Sequence, residues 1–282
     1  MTINVSSRMV QATEPYVLVD TRYGPMLANR RDAYIGRALI EYGEYSELET
    51  QFLRQLIDRS GTIVEVGANI GSQTVALAKA ARAAGADVVA IEPQPFVFQN
   101  LCANLALNAL DNVTAWPVAC AAQAGTVWFE RQNYQRPGNF GGVSVQADAM
   151  AGGIQVPSVR LDDLLRGRNV RLIKVDVEGF ELQVLQGAAE TLANNRPILY
   201  VENDRVAQSA SLIEYLWGQG YRLWWHITSL FNPQNFRANA DNCYPRLSSF
   251  NMVGVPQELD LTFQDCEQVV DAAAHPLAGR QP

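Results

Sequence analysis

The side chains with the clearest chemical content fall in three short segments: Glu65-Val66-Gly67-Ala68-Asn69-Ile70-Gly71, Glu92-Pro93 and Asp176-Val177-Glu178-Gly179. In the first, a carboxylate stands two residues ahead of a turn of small residues. Such a turn between a strand and a helix lets a ligand approach the backbone and the helix N-terminus. Its GxxxG spacing differs from the GxGxxG of dinucleotide folds and does not build a pyrophosphate cradle. Glu65 suits a cationic group, such as the ammonium of an amino acid, and repels phosphate, which favours S-adenosylmethionine over NAD. Glu92 ends the next strand 21 residues after Gly71, where a carboxylate can accept hydrogen bonds from both ribose hydroxyls. Glu65, Gly67, Asn69, Gly71 and Glu92 therefore read as a binding site for an adenosine-containing, positively charged cofactor.

Asp176 and Glu178 stand at the carboxyl end of a later strand, the edge where open α/β sheets bind ligands. They are candidates for catalysis, and Asp176 also for the methionine part of the cofactor; the other reading of Glu178 is that it caps the following helix. Glu202 and Asn203 end the next strand on the same rim. His226, after Trp224-Trp225, is the best neutral-pH base in the sequence and the third catalytic candidate, against the reading of a histidine packed in a core. Asp176, Glu202 and His226 could share a divalent cation, and whether a metal is used stays open. Tyr42, Tyr45 and Glu47 would fold over the cofactor if the N-terminal segment closes on the glycine turn. The alternative there is a helix start with capping-box spacing from Ser46 to Glu49. Trp224, Trp225, Phe231 and Phe236 suit either an acceptor pocket or core and lid packing. His275, in the tail, reads as solvated.

Positioning these groups requires a sheet. From residue 61 onward, short β-branched runs alternate with helical stretches, the pattern of βα units and a mostly parallel sheet with helices on both faces. Thr62 to Val66, Val88 to Ile91, Val113 to Cys120, Leu172 to Val177, Ile198 to Val201, Tyr221 to Ile227 and Phe250 to Val255 read as strands. Helices are expected over Ile70 to Ala84, from Pro95 with Phe98, Leu101, Cys102 and Leu105 on one face, along Val184, Leu185, Ala188 and Leu192, and from Ser211 to near Gly220. Residues 125–160 read as a hairpin around a long loop, and 228–249 as a second loop over one end of the sheet. The expected organisation is a cap over 1–60, a cofactor-binding domain over 61–256 with those two insertions, and a tail over 257–282 with a helix at Leu261 to Ala272.

The chain has 282 residues, 48% hydrophobic and 18% charged, with 22 Lys+Arg against 29 Asp+Glu for a net charge of −7. That composition fits a large core, argues against disorder, and lacks the basic face that nucleic-acid backbone requires. No apolar run reaches the length of a membrane span, and residues 1–8 lack a signal-peptide pattern, so a cytoplasmic location is expected. Cys102, Cys120, Cys243 and Cys266 form no CxxC pair and read as small buried hydrophobes rather than a zinc knuckle or disulfide framework. The sequons Asn4-Val5-Ser6 and Asn112-Val113-Thr114 carry little weight without secretion. Composition leaves a homo-oligomer open.

With these residues in view, a resemblance is plain. Glu65 to Ser72, Ala90-Ile91-Glu92-Pro93 and Ile173-Lys174-Val175-Asp176-Val177-Glu178-Gly179-Phe180-Glu181 resemble the FkbM-type methyltransferases, with further similarity in Ile35 to Leu39 and Tyr42 to Glu47. The likeness covers about residues 35–255, and Lys174 to Gly179 is its most specific part. It implies a class I methyltransferase fold, a Rossmann-like seven-stranded sheet with the last strand antiparallel. It also implies S-adenosylmethionine as cofactor and O-methylation of hydroxyls on a small-molecule, sugar, lipid-linked or polyketide-type acceptor. A catalytically silent module of the same fold is the main alternative. A nucleotide-binding oxidoreductase is weaker, since it needs the dinucleotide glycine pattern. Methylation of nucleic-acid bases is disfavoured because Asp-Val-Glu-Gly replaces the Asn/Asp-Pro-Pro-aromatic segment of those enzymes.

Overall fold

A computed structural model describes residues 12–146 and 148–278. The Asn4 sequon, the N-terminal stretch 1–8 and the last four residues of the tail lie outside them. The chain opens with a hairpin of β1 (Tyr16–Thr21) and β2 (Gly24–Asn29), then α1 (Ile35–Tyr42) and α2 (Glu47–Gln55). There follow β3 (Thr62–Val66), α3 (Thr74–Ala83), β4 (Asp87–Ile91), α4 (Pro95–Leu107), β5 (Val113–Trp116), β6 (Ala119–Cys120), β7 (Gly125–Phe129) and β8 (Ile154–Val159). The second half holds α5 (Leu161–Leu164), β9 (Val170–Val175), α6 (Glu181–Gln186), α7 (Ala189–Asn195), β10 (Ile198–Glu202), α8 (Val206–Gly218), β11 (Tyr221–Ser229), β12 (Ser248–Pro256) and β13 (Glu267–Gln268).

The main sheet runs β13-β11-β12-β10-β9-β3-β4-β5. β5, β4, β3, β9 and β10 are parallel, and β12 inserts antiparallel between β10 and β11. This is the Rossmann-like sheet of seven strands, with the two-residue β13 added at one edge. Its strands read as apolar runs because both faces are covered. Ile63, Val88 and Leu172 point to a core layer shared with α3 and α4, whereas Val64, Val89 and Ile173 point to a layer shared with α6, α7 and α8. The chain steps outward from β3 to β4 and β5, then returns to β9 on the other side of β3. That reversal is the topological switch point where open α/β sheets form a ligand crevice.

Several elements depart from the sequence expectation for local reasons. α3 begins at Thr74 rather than Ile70 because Asn69 (φ 49°) and Gly71 (φ 84°) hold the preceding turn in the left-handed region. The expected strand from Val113 to Cys120 splits at Pro117, which has no N–H for a ladder; β5 stays in the main sheet and β6 joins β8 and β7. The helix expected through Leu192 breaks at Gly187, where a Cβ would come within 2.1 Å of the Ala121 carbonyl oxygen. α8 starts at Val206, so Ser211 lies inside it rather than at its cap.

The tail holds no helix over 261–272, only β13 and turns. His275 is buried rather than solvated, with Nε2 2.9 Å from the Asn203 carbonyl oxygen and its ring against Trp225. β7 and β8 pair antiparallel from Gly125↔Ser158 to Phe129↔Ile154, which is the expected hairpin with its long loop. The second loop is tied to the N-terminal segment: Glu44 accepts hydrogen bonds from Asn232 Nδ2 and the Phe236 N–H, both at 2.8 Å. Among the described residues, no helix is long and apolar enough to cross a membrane.

Candidate active site

The carboxyl ends of β4, β3, β9 and β10 and the amino end of the antiparallel β12 open into a cavity of about 330 Å³, at the low end of the range for small-molecule sites. At its β3 end the chain turns sharply. Gly67 has φ 88°, and its N–H and that of Ala68 both donate to the Ile91 carbonyl oxygen at 2.9 Å. A Cβ on Gly67 would sit 1.8 Å from the Asp176 carbonyl oxygen, so only glycine fits between β3 and β9. Asn69 then donates its N–H to Glu92 Oε2, and Gln94 donates its N–H to Glu92 Oε1, both at 2.9 Å. Each oxygen of this buried carboxylate thus holds one backbone donor and retains acceptor capacity toward the cavity. Burial pushes Glu92 up to about 7, with the two N–H groups pulling the other way.

Glu65 and Lys174 face each other across β3 and β9. Glu65 accepts the Thr74 hydroxyl at 2.6 Å, and burial pushes its pKa up against the opposing pull of Lys174. Lys174 is 2% exposed, a cost met by anions around it. Burial would lower its pKa, but Asp176, Glu65 and Glu49 hold it above the ordinary value, with Asp176 Oδ2 2.9 Å from Nζ. Asp176 and Glu178 follow at the mouth of β9. Glu178 sits at φ 55° and pairs with Arg205; burial, then the nearby Asp176, raise it to about 7. The capping role considered for Glu178 belongs to Glu181, whose Oε1 accepts the N–H of Val177 and of Gly179 at 3.2 and 3.0 Å.

Beyond β9 the lining stays acidic. Glu202 ends β10 directly opposite Asn251 of β12. Glu202 Oε2 and Asn251 Nδ2 are both buried and have no hydrogen-bond partner. Burial and the charges of Asp176, Glu178 and Asp204 raise the Glu202 pKa well above the carboxylate range. The cover comes from three places. Tyr45, Ser46 and Glu49 arrive from the N-terminal segment, Asn139, Gly141 and Gly142 from the β7–β8 loop, and Leu230, Leu247 and Phe250 from the β11–β12 loop and the start of β12.

Glu65, Gly67, Asn69, Glu92, Asp176, Glu178 and Glu202 all line the cavity, whereas Gly71 supports the turn from outside it, packed against Leu101. Four expectations need correction. His226 does not reach the cavity: its ring stacks 4.2 Å from Phe52, Nδ1 lies 2.8 Å from the Tyr200 hydroxyl, and burial lowers its pKa to about 4. It is a packed neutral histidine, so neither the base nor the metal role holds for it. Among the described residues no group of three His, Cys, Asp or Glu side chains is arranged to hold a metal ion. Tyr42 points away as well, donating its hydroxyl to the Asp241 carbonyl oxygen at 2.7 Å. Glu47 accepts hydrogen bonds from Tyr23 and Gln51, at 2.8 and 3.0 Å, in place of facing the cavity.

The capping-box alternative also fails in detail, because Ser46 has φ 49° and spends its hydroxyl on the Glu49 carboxylate at 2.9 Å. Trp224 and Trp225 are core residues on opposite faces of the sheet, Phe231 packs on Tyr42, and Phe236 is exposed. The functional lining that sequence reasoning missed is Glu49, Lys174, Asp204 and Asn251. Lys174 and Asn251 had a signal, a polar residue inside an apolar strand.

The chain has recognisable relatives. A family model described as the methyltransferase FkbM domain matches residues 65–223. Methyltransferase sdnD of Sordaria araneosa is 29% identical over 192 residues, which cover 54% of this chain and 73% of that protein. Among solved structures, methyltransferase FkbM from Methylobacillus flagellatus KT aligns with a TM-score of 0.47 at 17% identity, over 69% of this chain and 43% of that one. The precorrin-6y C5,15-methyltransferase of Geobacter metallireducens GS-15 aligns with a TM-score of 0.47 at 12% identity, over 77% and 95% of the two chains.

Proposed function

This chain belongs to the FkbM methyltransferase family, and from that premise we propose that it moves a methyl group from S-adenosylmethionine to a hydroxyl of a polar small molecule. The observation that carries the reading is Glu92, a buried carboxylate fixed by two backbone N–H groups with its remaining acceptor capacity turned to the cavity. That pair of acceptor oxygens fits a ribose diol. Glu65 and Lys174, side by side across β3 and β9, offer the mixed charge that an amino acid's ammonium and carboxylate require. Held by Glu92, Glu65 and Lys174, the cofactor would supply an electrophilic methyl group for transfer to the acceptor oxygen, with S-adenosylhomocysteine as the product left behind.

The protein's part is to position the acceptor, exclude water and take the hydroxyl proton. Asp176 is the base we assign, since it stands at the mouth of β9 between the glycine turn and the acidic wall. Glu178, raised to about 7, is suited to receive the proton next.

The test incubates the full chain with methyl-labelled S-adenosylmethionine and a panel of hydroxylated acceptors. Labelled ether product and S-adenosylhomocysteine are expected in equal amounts. Binding of S-adenosylhomocysteine with no transfer to any acceptor supports the silent-module alternative, and label on nitrogen or carbon contradicts O-methylation.

A further inference from the structure

The cavity is chemically divided along the sheet, and its far end says something about the acceptor. Around the glycine turn, each carboxylate has a partner in the protein: Glu92 has two N–H groups, and Glu65 has a hydroxyl. At the ends of β10 and β12 the opposite holds. Glu202 and Asn251 are a cross-strand pair whose side chains leave the same face of the sheet into the cavity. Asn251 is 3% exposed and its Nδ2 completes no hydrogen bond, although the Tyr200 hydroxyl is its neighbour, and Glu202 Oε2 has nothing to accept from. Buried polar groups are ordinarily satisfied, so an open pair marks a place for a ligand's polar atoms. A donor and an acceptor left open side by side match a hydroxyl, which accepts from the amide and donates to the carboxylate.

A hydroxyl does not account for the charge. Asp176, Glu178, Glu202 and Asp204 share this end of the cavity. Lys174 answers Asp176 from beneath, and Arg205 answers Glu178 and Asp204 from the rim, at 44% side-chain exposure. No cation among the described residues is paired with Glu202. With four carboxylates against two cations that are already paired, a phosphate-bearing acceptor such as a sugar nucleotide would meet net repulsion here, whereas a protonated amine would relieve it.

We propose that the acceptor is a cationic amino alcohol of the amino-sugar type. One of its hydroxyls is held between Glu202 and Asn251, and its ammonium group sits among Glu202, Asp204 and Glu178. The proposal rests on the methyltransferase reading above and narrows its acceptor class from hydroxylated molecules in general to those carrying a positive charge. Binding such a cation favours the ionised form of Glu202, so uptake of the amine releases protons from the site.

The test uses the full chain saturated with S-adenosylhomocysteine and titrates three matched probes: methyl glucosaminide, its N-acetyl derivative and methyl glucoside. The amine is expected to bind at least tenfold tighter than either neutral probe and to release protons, read as a heat that varies with the ionisation enthalpy of the buffer. Glu202→Gln should remove most of that preference. Should Glu202→Gln fail to fold, Asp204→Asn, at a half-buried rim position, should lower the preference severalfold. Neutral probes binding as well as the amine, or no binding of any probe to protein that holds S-adenosylhomocysteine, overturns the proposal and leaves the cofactor reading standing. Failure of S-adenosylhomocysteine itself to bind removes both.

Discussion

The two ends of the cavity are built on different principles. The end formed by β3 and β4 is finished: the N–H of Gly67 donates to the Ile91 carbonyl and that of Asn69 to the Glu92 carboxylate, both at 2.9 Å. The end formed by β10 and β12 is unfinished, with Glu202 and Asn251 presenting polar atoms that no described side chain completes. Backbone geometry fixes the first end, and side chains from separate strands and two long loops compose the second.

The contrast is broken most violently at Gly67. Gly67→Ala puts a methyl group against the Asp176 carbonyl at φ 88°, and a cost of about 4 kcal/mol or more is expected in chemical denaturation, with cofactor binding lost. A variant within 1 kcal/mol of wild type, about the median for any substitution, would mean that the turn is not rigid.

Asp176→Asn probes the boundary between the two ends. Turnover should fall by about two orders of magnitude or more, as for loss of a general base, while S-adenosylhomocysteine affinity changes much less. Because Asp176 pairs with buried Lys174, a stability loss of about 1–3 kcal/mol is also expected. Retained turnover with lowered stability would reduce Asp176 to a partner for the lysine.

Glu92→Ala sharpens the cofactor end. It removes the acceptor for two hydroxyl groups, each hydrogen bond to a charged group being worth about 1.5–3 kcal/mol, so affinity measured by calorimetry should fall at least tenfold. The same carboxyl sets a pH dependence. Its pKa in the folded protein is raised from 4.5 to about 7, so its contribution to stability is fully present below about 4.5 and is lost as pH rises through 7. His226, lowered from 6.5 to about 4, works in the opposite direction between those two values. A ribose that hydrogen-bonds the carboxylate should therefore bind more tightly at about pH 8 than at about pH 6, and the reverse trend would argue for a protonated Glu92 in the complex.

The smallest effect is predicted at Glu47. Its carboxylate faces Tyr23 and Gln51, so Glu47→Gln should leave cofactor affinity within about twofold, well under 1 kcal/mol. A larger loss would return the N-terminal segment to the cofactor through this residue.

This difference between the ends also explains what the sequence disclosed. The finished end is local: Glu65 to Gly71 is the end of β3 and the turn that leads to α3, and Glu92 directly follows the very next strand, so spacing alone placed them together. The mostly parallel sheet followed from the βα alternation, and its seven strands with the last antiparallel from the family likeness. The unfinished end is assembled from β10, β12 and two long loops, contacts of large sequence separation that no periodicity reveals. His226 misled because a histidine beside tryptophans is read by type, whereas burial against Phe52 and Tyr200 decides its chemistry. Glu47 and Glu49 both lie in the first turn of α2, and the left-handed conformation of Ser46 that leads into it sets which of them faces the site. Only the backbone carries that information.

The most direct measurement is calorimetric titration of the full chain with S-adenosylhomocysteine and, separately, with NADH. The finished end predicts a single S-adenosylhomocysteine site of about micromolar affinity, near 8 kcal/mol of binding free energy, and no heat with NADH. Binding of NADH without S-adenosylhomocysteine would contradict the account at its centre.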